Sequence, residues 1–386
     1  MHAPAPEAAA AGSAVGTASP RLLAVKLADL GDSLTATPAL RALRDSWPEA
    51  RIDGLTSAAG AAALEGLTSV DELFVADKHA FDSPFGFSTG ALRALAPLLS
   101  TLRARRYDQL LLLHHLTTPF GRLKYRLLTR AIGARQTVGL DNGHGRFLDV
   151  GVHDDGFGVR HEVDYAIEVA VAAGAHRPER PRLEIALDRA ATVPILDERP
   201  SNPQTPNPKP QRIALHAGGG EYSLARRWPV ERFAEVGRAL ASELGAGLVI
   251  VGGQPDLEAH RRLKELLGDG VRDFTAQTTI KATAAILEHC QLLVSNDSGV
   301  LNLAAAVDTP VVAIFGPSND AAWGPYPPER HRVVRATLPC SPCFYRGKSL
   351  GQPQGCPTRD CLQLVAPEMV LAAARELLAE PAAVPA

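Results

Sequence analysis

The chain has 386 residues, a hydrophobic content of 46% and a net charge of −2 at pH 7. This length is enough for two ordinary domains with sizeable cores, and the near-neutral charge gives no case for nucleic-acid binding. The longest apolar runs are strand-sized, so no membrane-spanning segment is predicted. Residues 1–20 are rich in Ala and Pro and lack the basic start and apolar core of a signal peptide. We therefore expect a disordered tail and a cytoplasmic protein.

The first strand is predicted over residues 21–27, and the next helix is predicted to begin at Thr37. Gly31 and Asp32 are therefore expected on a loop at the carboxyl end of the strand. A carboxylate there, Asp32 or Asp29, could act as a general base, although capping of the loop is the commoner role of a single Asp. The turn has one glycine and lacks the Gly-x-Gly-x-x-Gly spacing, so it is not a dinucleotide-binding fingerprint.

A buried strand over residues 108–113 is followed by His114 and His115, which could contact a ligand or be structural. The region around this strand is locally basic within a near-neutral chain. Such a cluster indicates an anionic partner, namely a phosphate, a carboxylate or a membrane surface, and a solvated helix face is the alternative. The leading candidates are dense in the sequence and follow the strand end: Arg122, Lys124 and Arg126.

Residues 197–211 hold five prolines and form the clearest linker in the chain. After it, a strand over residues 212–216 runs into a glycine-rich turn that contains Gly218 and Gly219, and Arg226 follows. Backbone N–H groups and a guanidinium both suit phosphate oxygens, so this turn is a candidate phosphate site. A flexible connector with solvent-facing arginines is the alternative.

Residues 292–317 predict a strand, a polar turn, a short apolar helix and a second buried strand. In a parallel sheet, ligands bind at the edge where this turn lies. Asp297 or Ser298 can cap the helix, and Gly299 lets an anion approach the free N–H groups of its first turn. The turn can be interpreted as a pocket for a phosphorylated ligand. The alternative is an ordinary turn between strand and helix, with a capped helix and no ligand.

Four of the five cysteines cluster in a loop rich in Pro and Gly, whereas Cys290 stands alone. Paired cysteines at such spacing can hold a structural zinc ion, and a cytoplasmic protein should not rely on disulfides. Four reduced thiols without a metal are the alternative. The candidate metal ligands are Cys340, Cys343, Cys356 and Cys361.

Several segments, in this order, resemble glycosyltransferase family 9, the ADP-heptose:lipopolysaccharide heptosyltransferases and their relatives. They are LLAVKLADLGDSLTATPALRALRDSWPEARID, HAGGG followed by RRWPVERFAEV, LVIVGGQPDLE, and SNDSGVLNLAAAVDTPVVAIFGPSND. Each motif is modest alone, but their order and spacing are specific. The resemblance covers nearly all of the chain from Arg21 onward, apart from the linker and residues 81–89.

The resemblance implies a GT-B fold, in which two Rossmann-like, doubly wound α/β domains face a central cleft. The repeated strand–helix units on either side of the linker favour the same architecture. Residues 21–196 would bind the acceptor, and residues 212–386 would bind the nucleotide-sugar.

The implied activity is an inverting transfer of a sugar, heptose from ADP-heptose, to a lipopolysaccharide core or a related surface glycan. A monomer is expected, with peripheral contact at the cytoplasmic face of the inner membrane and no cofactor in catalysis. No Asp-x-Asp occurs in the sequence, so nothing suggests a metal on the diphosphate. The alternatives are a nucleotide-sugar-binding protein with weak or no transferase activity, and a GT-B nucleotide-sugar epimerase, against which the basic region argues.

By resemblance, Asp32 matches the catalytic base of the family, and Arg226 matches a lysine or arginine that contacts the donor diphosphate. The donor-binding turn is matched by Asp297, Ser298 and Gly299. The chain departs from the family at Asn302, where a histidine usually faces the phosphates. Asparagine can donate a hydrogen bond but carries no charge, which leaves donor affinity and donor identity open. The loop from Gly218 to Trp228 is also longer than in the best-known members.

Overall fold

The computed structural model describes residues 19–77, 89–190, 211–220 and 223–379. Nearly all of the predicted tail, the Pro-rich linker and the 81–89 loop lie outside these ranges, so those three predictions stay predictions.

The first half of the described chain is built on a parallel sheet of six strands in the order β3-β2-β1-β4-β5-β6. Its strands are β1 (Arg21–Lys26), β2 (Arg51–Thr56), β3 (Glu72–Val75), β4 (Gln109–Leu112), β5 (Gln136–Asp141) and β6 (Val150–His153). Its helices are α1 (Leu30–Leu34), α2 (Thr37–Ser46), α3 (Ala58–Leu64), α4 (Thr89–Ala104), α5 (Pro119–Ile132) and α6 (Glu162–Ala172).

The second half carries another parallel sheet of six strands, in the order β12-β11-β10-β7-β8-β9. Its strands are β7 (Arg212–His216), β8 (Gly247–Ile250), β9 (Arg272–Asp273), β10 (Leu292–Asn296), β11 (Val311–Ile314) and β12 (Arg332–Val334). Its helices are α7 (Val230–Leu244), α8 (Leu257–Leu267), α9 (Ile280–Glu288), α10 (Gly299–Ala306), α11 (Asp320–Trp323), α12 (Asp360–Gln363) and α13 (Pro367–Ala379), and a hairpin of β13 (Phe344–Arg346) and β14 (Ser349–Gly351) follows β12.

The central strands are apolar on both faces because helices cover both sides of each sheet. In β1, Leu22 and Ala24 face one core, whereas Leu23 and Val25 face another. Strand β10 is buried along its whole length. These cores fix the sheets, and the turns at the carboxyl ends of β1, β7, β8 and β10 are left to carry polar groups.

The segment after β1 differs from its prediction. The sequence predicted a loop at Gly31 and Asp32, but both lie in the five-residue helix α1. The amide of Ser33 donates to the carbonyl of Asp29 at 2.9 Å, and Thr35 N donates to Gly31 O at 3.1 Å, so helical turns close directly after the strand. The helix start predicted at Thr37 is confirmed for the next helix, α2.

The two halves touch at several places. Leu34 and Ala63 of the first half belong to the same apolar cluster as helices α9 and α10 of the second. Leu183 packs in another shared cluster with Tyr326. On the far side of the cleft, Phe157 N donates to the carbonyl of Gly347 in the β13–β14 hairpin at 2.7 Å. Within the described ranges, no helix has the length and apolar character needed to cross a membrane.

Candidate active site

The carboxyl ends of the two sheets face a cleft with a cavity volume of about 820 Å³. The halves approach closely at two glycines. A Cβ atom at Gly31 would lie 3.2 Å from the Cα of Gly299 and 2.8 Å from Nδ2 of Asn302, so any larger residue would push α1 away from α10. This close approach brings Asp32, the next residue, to the start of helix α10.

Asp32 lies partly exposed in the wall of this cleft. Burial raises the pKa of its carboxyl to about 6; Lys26 opposes this shift, whereas Asp29 and Glu162 add to it. None of the hydrogen bonds among the described residues occupies its carboxylate oxygens; only its backbone carbonyl accepts, from Thr35 Oγ1 at 2.8 Å. A carboxylate with this pKa and free oxygens is suited to general-base chemistry near neutral pH.

Arg226 lies across the cleft in a short 3₁₀ turn, Leu224–Arg226. Its guanidinium donates to Asp297 Oδ2 at 3.3 Å and to the carbonyl of Gly219 at 3.0 Å. Burial disfavours its charge, but Asp297, together with Tyr345 and Asp32, outweighs this effect and the pKa of the guanidinium is raised. Its Nε is buried without a partner among the described residues, so this fixed cation keeps donor capacity.

The glycine-rich turn after β7 is tied to the turn after β8 by one carboxylate. Asp256 accepts hydrogen bonds from Gly219 N at 3.2 Å and from Gly253 N at 3.0 Å. A Cβ atom at Gly218 would lie 2.0 Å from Asp256 Oδ1, so only glycine fits there. Gly219 lines the cleft, whereas Gly218 does not. Because Gly218 has no side chain, the carboxylate of Asp256 has room to pack against the turn.

The polar turn before α10 caps this helix, as the sequence predicted. Ser298 accepts a hydrogen bond from Val300 N at 3.3 Å and caps the helix. Asp297 is held by Ser318 Oγ at 2.6 Å and by Arg226, so its carboxylate positions the arginine. Asn302 is buried against Gly31, and its Oδ1 has no partner among the described residues.

A charged cluster that the sequence did not predict lies on the first-half side of the cleft. His115 Nδ1 lies 2.9 Å from Asp154, and its Nε2 lies 2.9 Å from Glu162. Burial disfavours the imidazolium, but the two carboxylates outweigh it and raise the pKa of His115 to about 9. The histidine therefore stays charged at neutral pH, held between the two carboxylates. Its place after a strand was the only sequence signal, because its partners lie 39 and 47 residues away.

The β13–β14 hairpin is a second part of the site that the sequence did not predict. Tyr345 and Leu350 of this hairpin line the cleft together with Trp323. Tyr345 packs on Phe157 of the first half with ring centroids 5.1 Å apart, and its carbonyl accepts from Asn319 at 2.9 Å. The hairpin thus closes one end of the cleft and bridges the two halves.

The structure does not bring the three predicted acceptor-binding cations to the wall of the cleft. Arg122 donates to the carbonyls of Leu116 and Thr117 and so secures its own loop. Lys124 lies over the ring of Tyr125, and Arg126 is exposed on the outer face of α5. Tyr125 is the residue of this helix that lines the cleft.

The metal site predicted for the four clustered cysteines stays a prediction. Among the described residues, no group of three or more His, Cys, Asp or Glu side chains is arranged to hold a metal ion. Cys340 and Cys356 are exposed, and Cys361 is buried. Burial raises the pKa of Cys361, and the neighbouring thiols add to this shift, so the four come near one another without converging.

Two Rossmann-like halves around a cleft define the GT-B fold, and solved structures share it. The glycosyl transferase family 9 from Veillonella parvula superposes with a TM-score of 0.72 at 24% identity, over 94% of this chain and 98% of that one. ADP-heptose lipopolysaccharide heptosyltransferase II of Escherichia coli gives a TM-score of 0.68 at 22% identity, over 93% and 98% of the chains. The predicted fold is confirmed.

The sequence model of glycosyltransferase family 9 (heptosyltransferase) matches residues 96–353, and the chain belongs to this family. Lipooligosaccharide heptosyltransferase 2 of Campylobacter jejuni is 30% identical over 166 residues, which is 42% of this chain and 49% of that protein. Lipopolysaccharide heptosyltransferase 2 of Salmonella typhimurium is 33% identical over 123 residues, which is 30% of this chain and 34% of that protein. The chain thus spans about half or less of the length of these curated relatives.

Proposed function

We propose that this protein is an inverting, metal-independent glycosyltransferase that moves a sugar from a nucleotide-sugar to a surface glycan. The donor is ADP-heptose and the acceptor is a lipopolysaccharide core or a related glycan, as the names of the relatives suggest. One observation carries the proposal: Asp32, with free carboxylate oxygens, faces the cleft beside the first turn of α10, and Arg226 lies on the opposite wall.

The chemistry follows from this arrangement. The acceptor hydroxyl attacks the anomeric carbon from the side of Asp32, and its proton passes to the carboxylate as the new C–O bond forms. The bond to the diphosphate breaks on the opposite side, which inverts the anomeric centre. The leaving diphosphate takes up negative charge, which Arg226 and the free N–H groups at Ser298 and Gly299 stabilise. Fixed protein groups therefore supply the charge stabilisation that a metal would otherwise provide.

The outer face of α5 supports contact of this enzyme with the cytoplasmic face of an anionic membrane. Leu123 and Leu127 are 48% and 46% exposed, and Arg126 and Arg130 are exposed beside them. Residues 109–140 contain no Asp or Glu. Exposed leucines flanked by cations suit an anionic lipid surface, because apolar burial and charge attraction then act together.

Vesicle sedimentation tests this face. Wild-type protein should sediment with vesicles that contain a quarter phosphatidylglycerol. With vesicles of pure phosphatidylcholine it should remain in the supernatant. Replacement of Leu123 and Leu127 by Ser together with Arg126→Ser should abolish binding. Equal sedimentation of wild-type and variant proteins would contradict the assignment. Arg261→Ser on the exposed face of α8 is the control for loss of one cation.

Asn302 is the observation that favours the second candidate, a nucleotide-sugar-binding protein with weak transferase activity. This buried amide cannot place a positive charge beside the donor phosphates as a histidine could. Thermal-shift screening with ADP-, UDP-, GDP- and dTDP-sugars identifies the donor, because a ligand that binds the folded state raises its melting temperature. Acceptor-dependent release of the free nucleotide then separates a transferase from a binding protein, and turnover without an acceptor would indicate an epimerase.

A further inference from the structure

Glu162 is a buried acidic residue of the cleft that the proposed mechanism does not use. It is the first residue of α6, its side chain is 3% exposed, and it lines the cleft together with Asp32. One carboxylate oxygen, Oε1, lies 2.9 Å from Nε2 of the charged His115. The other oxygen, Oε2, makes no hydrogen bond with any of the described residues. The cavity that contains the base therefore also holds a second carboxylate with a free oxygen.

The sheet brings these two carboxylates to the same edge. Strands β1 and β4 are parallel neighbours; the turn that contains Asp32 follows β1, and His115 follows β4. The two strand ends are tied together, because Leu27 N donates a hydrogen bond to Nε2 of His114 at 2.7 Å. The next residue, His115, holds Glu162. The place of this carboxylate relative to the turn after β1 is thus set by neighbouring strands.

His115 is itself held firmly. Its Nδ1 lies 2.9 Å from Asp154, which also accepts a hydrogen bond from Gly156 N at 2.8 Å. Its ring packs against Phe157 and meets Tyr165 edge-on, with centroids 4.7 and 4.9 Å apart. Breaking a buried ion pair leaves an uncompensated charge, which is costly. The histidine therefore keeps its carboxylate partner on the cleft side in one orientation.

Several charges act on Asp32 besides its burial, which is the largest cause of its raised pKa. Lys26 and Arg226 oppose this shift, whereas Asp29 and Glu162 add to it. Asp29 is exposed, so salt screens its charge, but Glu162 is buried and is screened much less. A fixed negative charge makes a nearby carboxylate a stronger base, because the proton that it takes up relieves the repulsion.

We propose that Glu162, held by His115, is a positioning residue that strengthens Asp32 as the base of the transfer reaction. This inference deepens the proposed transferase function and rests on it. As the new C–O bond forms, the acceptor hydroxyl gives its proton to Asp32, and this step removes one of the two negative charges that line the cleft. Glu162 stays paired with His115 and acts only through Asp32.

The pH profile of kcat/KM, measured with ADP-heptose and a lipopolysaccharide-core acceptor, tests this role. In the wild type the acidic limb should lie near pH 6, where Asp32 titrates. Glu162→Gln keeps the shape of the side chain and removes its charge, so the limb should move to lower pH by about half a unit or more. On the plateau kcat should fall about two- to fivefold, since a weaker base takes the proton less readily, while the acceptor KM changes little.

Two further variants complete this series. Glu162→Asp withdraws the charge by one methylene and should shift the limb in the same direction, but by less. Glu168→Gln is the matched control, because Glu168 belongs to the same helix and pairs with Arg160 and Arg177 rather than lining the cleft. Its limb should stay near pH 6.

Urea unfolding at pH 7 gives a readout that does not need the reaction. Asp32→Asn removes the repulsion between the two carboxylates, so it should stabilise the fold less in the Glu162→Gln background than in the wild type. The double-mutant cycle cancels the direct cost of losing the ion pair with His115. Calorimetric binding of ADP checks that each variant is folded; if Glu162→Gln is not, Glu162→Asp carries both comparisons.

The outcomes separate the two claims. No transfer by the wild type would refute the proposed function, and with it the role of Glu162, even if the unfolding cycle shows coupling. With transfer intact, an unshifted limb in Glu162→Gln or additive stabilities in the cycle would refute the role of Glu162 alone. A lower kcat at every pH without a shift would make Glu162 a structural residue, and a raised acceptor KM without a shift would make it a binding residue; either result overturns the proposal.

Discussion

Replacement of Asp32 by Asn should abolish catalysis and stabilise the fold at the same time. The amide keeps the shape of the carboxylate and removes both its charge and its basic oxygen. A positioned base contributes about 10²–10⁴-fold to such a transfer, so kcat should fall by at least about 10²-fold while donor affinity stays nearly unchanged. In the wild type, kcat/KM should fall about tenfold per pH unit below pH 6, because the base titrates there.

The gain in stability follows from the raised pKa of Asp32. The carboxyl titrates near 3.8 when unfolded and at about 6 when folded. A group with a raised folded pKa loses stability as the pH rises through that interval, since the folded state then has to release a proton that it binds more tightly. At pH 7 the full shift corresponds to about 3 kcal/mol, and the partial exposure of the side chain reduces the expected gain to about 1–3 kcal/mol.

Urea unfolding at pH 7 and pH 4 measures this effect. Asp32→Asn should raise the free energy of unfolding at pH 7, and the difference from wild type should become small at pH 4, where the folded wild-type carboxyl is protonated and the unfolded one is near its midpoint. Asp45→Asn, at an exposed carboxylate on α2, is the matched control. A variant with more than about a tenth of the wild-type kcat, or with no gain in stability at pH 7, would refute the assigned role and environment of Asp32.

Arg226→Ala should weaken binding of the nucleotide-sugar by about 1.5–3 kcal/mol in titration calorimetry, because it removes a charged donor from the cleft. Arg227→Ala is its control, since that guanidinium donates to the carbonyls of Gly220 and Pro255 behind the turn; equal losses in the two variants would contradict the assignment. Metal analysis of purified protein should find less than about a tenth of an equivalent of zinc or iron, with no loss of stability on chelation. A full equivalent would show that the four cysteines close around a metal after all.

The sequence predicts the fold well because apolar runs mark central strands, among them β1, β7, β10 and β11, which are almost completely buried. Strand β10 and the cap at Ser298 follow from local patterns: an apolar run, then a residue that favours N-caps. The turn at Gly31 and Asp32 was placed correctly after β1 but not recognised as a helix, because a single helical turn has too few residues to show a period.

The part of the cleft wall formed by the first half could not be predicted, because its residues meet only in three dimensions. His115, Asp154 and Glu162 belong to different elements, and no spacing in the sequence connects them. The cations of α5 that were predicted to bind the acceptor do not line the cleft, for a related reason. Charge density in a sequence does not tell which face of a helix is buried, and here Tyr125 occupies the inward face.

Acceptor-dependent release of the nucleoside diphosphate tests the central claim most directly. The purified protein is mixed with ADP-heptose and a lipopolysaccharide-core acceptor in the presence of EDTA, and free ADP and the glycosylated product are quantified by mass spectrometry. We expect equal amounts of ADP and product, an inverted anomeric configuration, and loss of both in Asp32→Asn. Bound nucleotide-sugar without release, or conversion of the donor without an acceptor, would contradict the claim that this cleft is the active site of a glycosyltransferase.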